Sequence, residues 1–433
     1  MSLPGRVVAN LITSRTLRSL SFSLAAARRH LSGKPALVHY YHQVDDPYSH
    51  LMLQVLPVLM QRHRFTLKLH LVPPPSEDAA PDRERLQAWS RRDAASLAAL
   101  LHLEFTDHQQ QPDAELIDLA NRCLAQLFNS AAGNRTAISQ ALAIGSALWR
   151  NDRAALLNFQ AVPTGRVTLF LAAGATLRKQ QGHYLGATLY FEGEWYWGVD
   201  RIWYLDQRLS AAGLAWPEAG TTIVRLPDLA WNTPPATEQK TELHFFCSLR
   251  SPYTYLAVQR VIKLAQHYKV QLKLRFVLPM VMRGLPVPLE KRMYIVRDTK
   301  READTLGLRF GNISDPVGRP VERGMAVLNH AIAADKGAEF LSSFMQGVWS
   351  EGIDAGTEKG LLTIAARAGL DADFVKAALE DASWRAVAET NREAMLAAGL
   401  WGVPSFCIND QAAVWGQDRL YLLERDLIKA VST

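Results

Sequence analysis

With 433 residues, 48% hydrophobic and 21% charged, the chain is too long for one ordinary core and has the make-up of a soluble globular protein of two or three domains, without a low-complexity block. No run of about 18 uncharged apolar residues occurs, which excludes a spanning helix. The only cysteines, Cys123, Cys247 and Cys407, never take the C-x-x-C spacing, which excludes a disulfide framework and fits a reducing compartment. The net charge of +6 is concentrated at the start, where Arg6, Arg15, Arg18, Arg28, Arg29 and Lys34 precede the first acid, Asp45; the balanced remainder argues against a nucleic-acid surface.

Residues 1–35 read as a basic amphipathic leader, with Leu17, Leu20, Leu24 and Leu31 at near-helical spacing. Three readings compete: a helix packed on the domains, a weak contact with a membrane surface, and a mitochondrial transit peptide if the source is eukaryotic. The cytoplasm is the expected location otherwise.

The rest of the chain repeats itself. Displaced by about 205 residues, His39 falls on His244, Pro47-Tyr48 on Pro252-Tyr253, Leu67-Lys68-Leu69 on Leu272-Lys273-Leu274, and Arg92-Asp93 on Arg297-Asp298. About 19 of about 67 positions are identical, against about 4 expected by chance. A second block, displaced by about 218, sets Trp197-Gly198 on Trp415-Gly416 and Asp200-Arg201 on Asp418-Arg419. The repeat predicts one domain over 36–226, a linker over 227–240 around Asn232-Thr233-Pro234-Pro235, and a second domain over 241–433.

In the second copy, the apolar run Leu243 to Cys247 predicts a buried strand. Ser251-Pro252 has the form of an N-cap followed by proline at the first helical position, and Tyr255, Leu256, Gln259 and Ile262 continue at helical spacing. Leu272 to Val277 is a second strand, so the unit is β-α-β with parallel strands. From about Glu322 to Asn391 the pattern is helical, an inserted subdomain. Val403 to Ile408 is a strand entered through proline, Asn409-Asp410 turns it toward Val414-Trp415, and Leu420 to Val431 is a closing helix. The expected fold class is α/β: two tandem domains, each carrying a helical insert.

Ser251-Pro252-Tyr253, Gly402-Val403-Pro404 and Trp415-Gly416-Gln417-Asp418-Arg419, in this order and spacing, resemble the DsbA-like thioredoxin superfamily, in the 2-hydroxychromene-2-carboxylate isomerase branch related to kappa-class glutathione transferases. The resemblance covers 241–433 and implies a thioredoxin-like fold and glutathione as co-substrate. It implies that Ser251 stabilises the glutathione thiolate, that Val403 and a cis Pro404 line the site, and that Asp418, with Gln417 beside it, holds the γ-glutamyl ammonium. Arg283 and Lys291 are weaker candidates for the glycyl carboxylate, and Asn312 is a faint one. The acceptor is expected to be a small electrophile derived from an aromatic compound, and the protein a homodimer or a single-chain pseudo-dimer.

Each assignment has a plainer counterpart: Ser251 as a helix cap, Asp418 as the start of the last helix, Arg283 and Lys291 as solvated charges, and Asn312 as a turn residue. Where DsbA-type oxidases carry C-P-x-C, this chain has Ser251-Pro252-Tyr253-Thr254, so dithiol exchange is disfavoured. A Cys247–Cys407 pair is a residual redox alternative, against two buried, inert thiols. In the first copy Asp46 stands at the Ser251 position, His42 at Cys247 and Gly186 at Pro404. That predicts a structural or partner-binding domain, or else a different site built on Asp45, Asp46, His42 and His50, which would also suit a metal. The non-enzymatic alternative for the whole chain is an interaction module.

Overall fold

The structure, a computed structural model, describes residues 3–130, 135–218, 223, 225–233 and 241–432. The chain divides into two compact units, one of Met1–Arg18, Pro227–Val287 and Ile295–Thr433, the other of Ser19–Leu226 and Pro288–Tyr294.

The N-terminal half begins with helices α1 (Leu3–Thr13) and α2 (Arg15–Ser32). Strand β1 (Leu37–His42), helix α3 (Pro47–Arg62) and strand β2 (Thr66–Leu71) form a β-α-β unit, followed by α4 (Arg83–Leu101), α5 (Ala114–Ser130), α6 (Arg135–Trp149), α7 (Arg153–Leu156) and α8 (Thr164–Gln180). The hairpin β3 (Thr188–Phe191) and β4 (Glu194–Trp197) and helix α9 (Ile202–Ala211) complete it. The C-terminal half has β5 (Glu242–Cys247), α10 (Pro252–His267) and β6 (Gln271–Phe276), then the helices α11 (Leu289–Thr305), α12 (Arg319–Ala333), α13 (Gly337–Gln346), α14 (Glu358–Arg367), α15 (Ala372–Glu380) and α16 (Trp384–Ala397). It ends with the hairpin β7 (Ser405–Ile408) and β8 (Val414–Trp415) and helix α17 (Leu420–Ser432).

Each half carries a four-stranded sheet, in the orders β2-β1-β3-β4 and β6-β5-β7-β8. In both, the first pair is parallel and the other two are antiparallel. The central strand β5 buries Leu243, Phe245, Phe246 and Cys247, as its unbroken apolar run requires. The two β-α-β units share hydrogen bonds at matching positions: Val72 N–H donates to His42 O, and Val277 N–H to Cys247 O, each at 2.9 Å. The Tyr48 hydroxyl donates to Asp93, and the Tyr253 hydroxyl to Asp298, each at 2.8 Å.

Three features depart from the sequence expectation. The helical insert starts at Leu289, well before Glu322. In α11 the buried positions include Asp298, Thr299, Arg301 and Glu302, so burial there leaves no apolar stripe to read. In the expected linker, residues 228–232 are packed on the C-terminal domain: the buried Glu424 carboxylate accepts from Ala230 N–H at 2.6 Å and Asn232 N–H at 3.2 Å. Residues 234–240 lie outside the described residues. The strand register also corrects the alignment of the two halves. His39 pairs with Tyr190 as His244 pairs with Cys407, so Ala187, rather than Gly186, holds the place of Pro404, and Gly186 that of Val403. One additional residue in the β7–β8 turn restores the displacement of 218 at Trp415.

Candidate functional site

Ser251 caps α10 from extended backbone (φ −96°, ψ 113°), with Pro252 opening the helix. Its Oγ accepts from Thr254 N–H at 3.2 Å and donates to Val403 O at 3.5 Å. The second bond is at the outer limit of hydrogen-bond length, so little is lost when the hydroxyl proton turns to a ligand. The hydroxyl stands at the positive end of a 16-residue helix, where an anion is stabilised.

The second motif meets Ser251 Oγ through Val403 O, and the third is tied to the second through the backbone. The Val403-Pro404 bond is cis. Gly416 N–H donates to Pro404 O at 2.9 Å, tying the Trp415–Arg419 turn to the Val403-Pro404 segment. Gly402 lies under the Trp415 indole, where a Cβ would come within 2.1 Å of the ring. Gly416 has φ +112°, and a Cβ there would stand 2.6 Å from Asp418 Oδ1, so glycine is what lets the carboxylate fold back over the turn. Asp418 is partly exposed, with Arg419 Nη1 3.6 Å from its Oδ1.

The remaining candidates have other surroundings. Gln417 is buried, its amide donating to Glu302 at 3.1 Å and accepting from Arg260 at 3.1 Å, so its side chain braces α10 and α11 rather than facing a ligand. Arg283 is half-buried, and burial with the nearby Arg392 holds its pKa below the usual value. Lys291 falls in the unit of the N-terminal half, where its ammonium donates to Ala79 O at 2.7 Å; burial lowers it to about 8. It is therefore removed from the ligand set. The Asn312 amide donates to Glu351 O at 2.8 Å and covers Gly352, which makes it a latch between a loop and the turn after α13. A groove of about 1090 Å³ runs along β6, lined by Gln259, Lys273, Arg275, Ser342 and Arg367 among others, and includes none of the predicted site residues.

Two neighbours of Ser251 escaped the sequence reading. Arg250 makes a two-point ion pair with Asp315, both bonds at 2.8 Å, and fixes the loop in front of α10. Asp298 receives the Tyr253 hydroxyl and Arg301 Nη2, the latter at 2.6 Å. The repeated pair Arg92-Asp93 and Arg297-Asp298 was the available signal.

The thiols are structural. Cys407 pairs with His244, three positions along β5 from Cys247, so the two cysteines stand roughly 10 Å apart and on opposite faces of the sheet. That is beyond disulfide reach. All three cysteines are free and buried, and burial pushes the Cys247 thiol up to about 12.

In the N-terminal half the matching place is filled. Asp46 caps α3, accepting from Tyr48 N–H and Ser49 N–H at 3.2 Å and from Ser49 Oγ at 2.9 Å. A Cβ at Gly186 would sit 2.5 Å from the Gln43 side chain and 3.3 Å from Asp46 Oδ2. Where proline lacks an N–H, Ala187 N–H donates to Ser49 Oγ at 2.9 Å. The metal reading fails here: among the described residues no group of three or more His, Cys, Asp or Glu is placed to hold an ion. His42 is turned to the Tyr40 hydroxyl and His50 is packed against Gly145. Burial pushes Asp46 up to about 7, aided by Asp45 and opposed by its hydrogen bonds. Between about pH 4 and 7 the folded state therefore keeps a proton that the unfolded chain releases, and stability falls as pH rises. Asp46→Asn keeps the cap and removes the charge. It is expected to stabilise this unit by on the order of 1–3 kcal/mol at pH 8 and to make no difference at pH 4, read from thermal melts at both pH values.

Comparison with known proteins places the C-terminal half. Residues 242–428 match the family model of the DSBA-like thioredoxin domain. A 2-hydroxychromene-2-carboxylate isomerase of Pseudomonas putida is 26% identical over 192 residues, 42% of this chain and 91% of the relative. Among solved structures, a 2-hydroxychromene-2-carboxylate isomerase is 24% identical, covering 44% of this chain and 95% of its own, with a TM-score of 0.38. The cytosolic disulfide reductase DsbM of Pseudomonas aeruginosa, solved with GSH, is 19% identical over 44% of this chain and 97% of its own, with a TM-score of 0.34. The C-terminal half thus has the thioredoxin-like α/β fold of DsbA-like proteins.

Proposed function

We propose that the C-terminal domain is a glutathione-dependent isomerase or transferase of the 2-hydroxychromene-2-carboxylate isomerase kind. The observation that carries this reading is a serine hydroxyl, with no thiol beside it, at a helix N-terminus that meets the Val403-Pro404 segment, to which the Trp415–Arg419 turn is tied. Ser251 Oγ donates to the thiolate and, with the N-terminus of α10, keeps it ionised. The partly exposed Asp418 carboxylate takes the γ-glutamyl ammonium, and Val403 supports the peptide part. Bound glutathione supplies a nucleophile that adds reversibly to a conjugated electrophile, so that rotation about the saturated bond and elimination return the isomer and the free thiol. The protein's part is to hold the thiol deprotonated and aligned.

The equal strand orders, the matched hydrogen bonds and the paired Tyr48–Asp93 and Tyr253–Asp298 contacts support a tandem duplication of one thioredoxin-like domain. In the first copy Asp46 and the close-packed Gly186 leave a scaffold without a glutathione site. Three buried free thiols suit a reducing compartment such as the cytoplasm.

Calorimetry with millimolar glutathione, followed by an isomerisation assay on 2-hydroxychromene-2-carboxylate, tests the proposal. Saturable binding together with turnover is expected. Absence of binding would leave the C-terminal half an interaction module. Asp418→Ala is expected to raise KM for glutathione about 10–100-fold with kcat nearly unchanged, as the loss of one charged hydrogen bond in binding requires.

A further inference from the structure

We infer that helix α2 is a membrane-surface contact, made by an exposed leucine stripe that rests on anionic lipid. Leu17, Leu20, Leu24 and Leu31 fall within an arc of about 60° on this helix. They are 43%, 53%, 60% and 90% exposed. The other side of the helix is the one that packs: Phe22 lies under the Arg208 guanidinium and Arg29 pairs with Glu192. A packed amphipathic helix puts its leucines inward; α2 turns them outward, and none of its residues is buried. Leu20, Leu24 and Leu31 are exposed together on this one helix, so the patch is continuous rather than scattered.

The charge identifies the occupant. The stripe is flanked by the exposed Arg28, Lys34 follows the helix, and no acid occurs in the first 44 residues. Arg15 and Arg18 face Asp304 and Arg29 faces Glu192, so the cations the ridge offers to anionic headgroups are Arg28 and Lys34, and a leucine ridge with cations at its border and no acid matches the boundary between acyl chains and such headgroups. No described helix is long and apolar enough to cross a membrane, so the contact is peripheral.

Sedimentation of the full chain with vesicles of phosphatidylglycerol and phosphatidylcholine tests this, with phosphatidylcholine vesicles as the uncharged arm. Binding to the mixed vesicles is expected, at least about tenfold weaker to phosphatidylcholine alone and weaker at high salt. Leu20→Glu/Leu24→Glu and the uncharged Leu20→Ser/Leu24→Ser are both expected to lose at least about tenfold, since each leucine withdrawn removes buried apolar area. Leu157→Glu, at an exposed leucine elsewhere, is expected to bind as the parent does. Failure to sediment with the mixed vesicles would overturn the inference, as would full binding by the serine variant. A concentration-dependent dimer in size-exclusion chromatography that the serine variant dissolves would reassign the stripe to a second copy of the chain.

Discussion

Ser251→Ala is expected to lower kcat/KM for glutathione-dependent turnover by about 100-fold, the usual effect of removing one aligned donor from a developing or resident anion. KM for glutathione should move by less than about threefold, because Asp418 and the Val403 segment remain. The readout that isolates the mechanism is the ultraviolet absorbance of bound thiolate against pH. In the parent the bound thiol is expected to ionise well below its solution value, and in the variant to move back toward it. A loss of about 1 kcal/mol in stability accompanies the change, since Oγ also caps Thr254 N–H at 3.2 Å. Ser251→Thr keeps both the hydroxyl and the cap, so it should recover most of the rate and all of that stability. A Ser251→Ala enzyme within threefold of the parent would reduce Ser251 to a helix cap. Asp46 at the matching place in the N-terminal half shows the opposite electrostatic choice, since a carboxylate there would repel a thiolate.

Asp298→Ala is expected to destabilise the C-terminal domain by about 3–5 kcal/mol in urea unfolding, because it leaves Arg301 buried without this counter-charge. Asp298 is 1% exposed and Arg301 6%, so water cannot take over the missing contact. Tyr253→Phe removes only a neutral donor at 2.8 Å and should cost about 1 kcal/mol. The pair matters for the site because Tyr253 is two residues from Ser251, and Asp298 fastens that first turn of α10 to α11. Asp93→Ala should weaken the N-terminal unit through Tyr48 in the same place. If Asp298→Ala unfolds with the parent's midpoint, the contact is not a structural tie.

Sequence alone determined the elements whose burial is apolar or whose ends carry a cap. Leu243 to Cys247 read as a buried strand, Ser251-Pro252 as the opening of a helix, and identities such as Arg92-Asp93 with Arg297-Asp298 set the two halves against each other. Local preference and pattern suffice there, because one residue's neighbours in the chain decide its state. Tertiary structure decided what depends on side chains meeting across the chain. Only the pairing of β7 with β5 shows that Ala187 takes the place of Pro404, because a single-residue turn insertion is invisible to a gapless alignment. Only packing shows that Gln417 is locked by Arg260 and Glu302, that Lys291 donates to Ala79, and that Asp298 is buried in an ion pair. Polar residues read as surface in a sequence, and partners tens of residues away are what allow them inside. The same holds for the leucines of α2: their spacing was legible as amphipathic, but the direction they face was fixed by what packs on the other side of the helix.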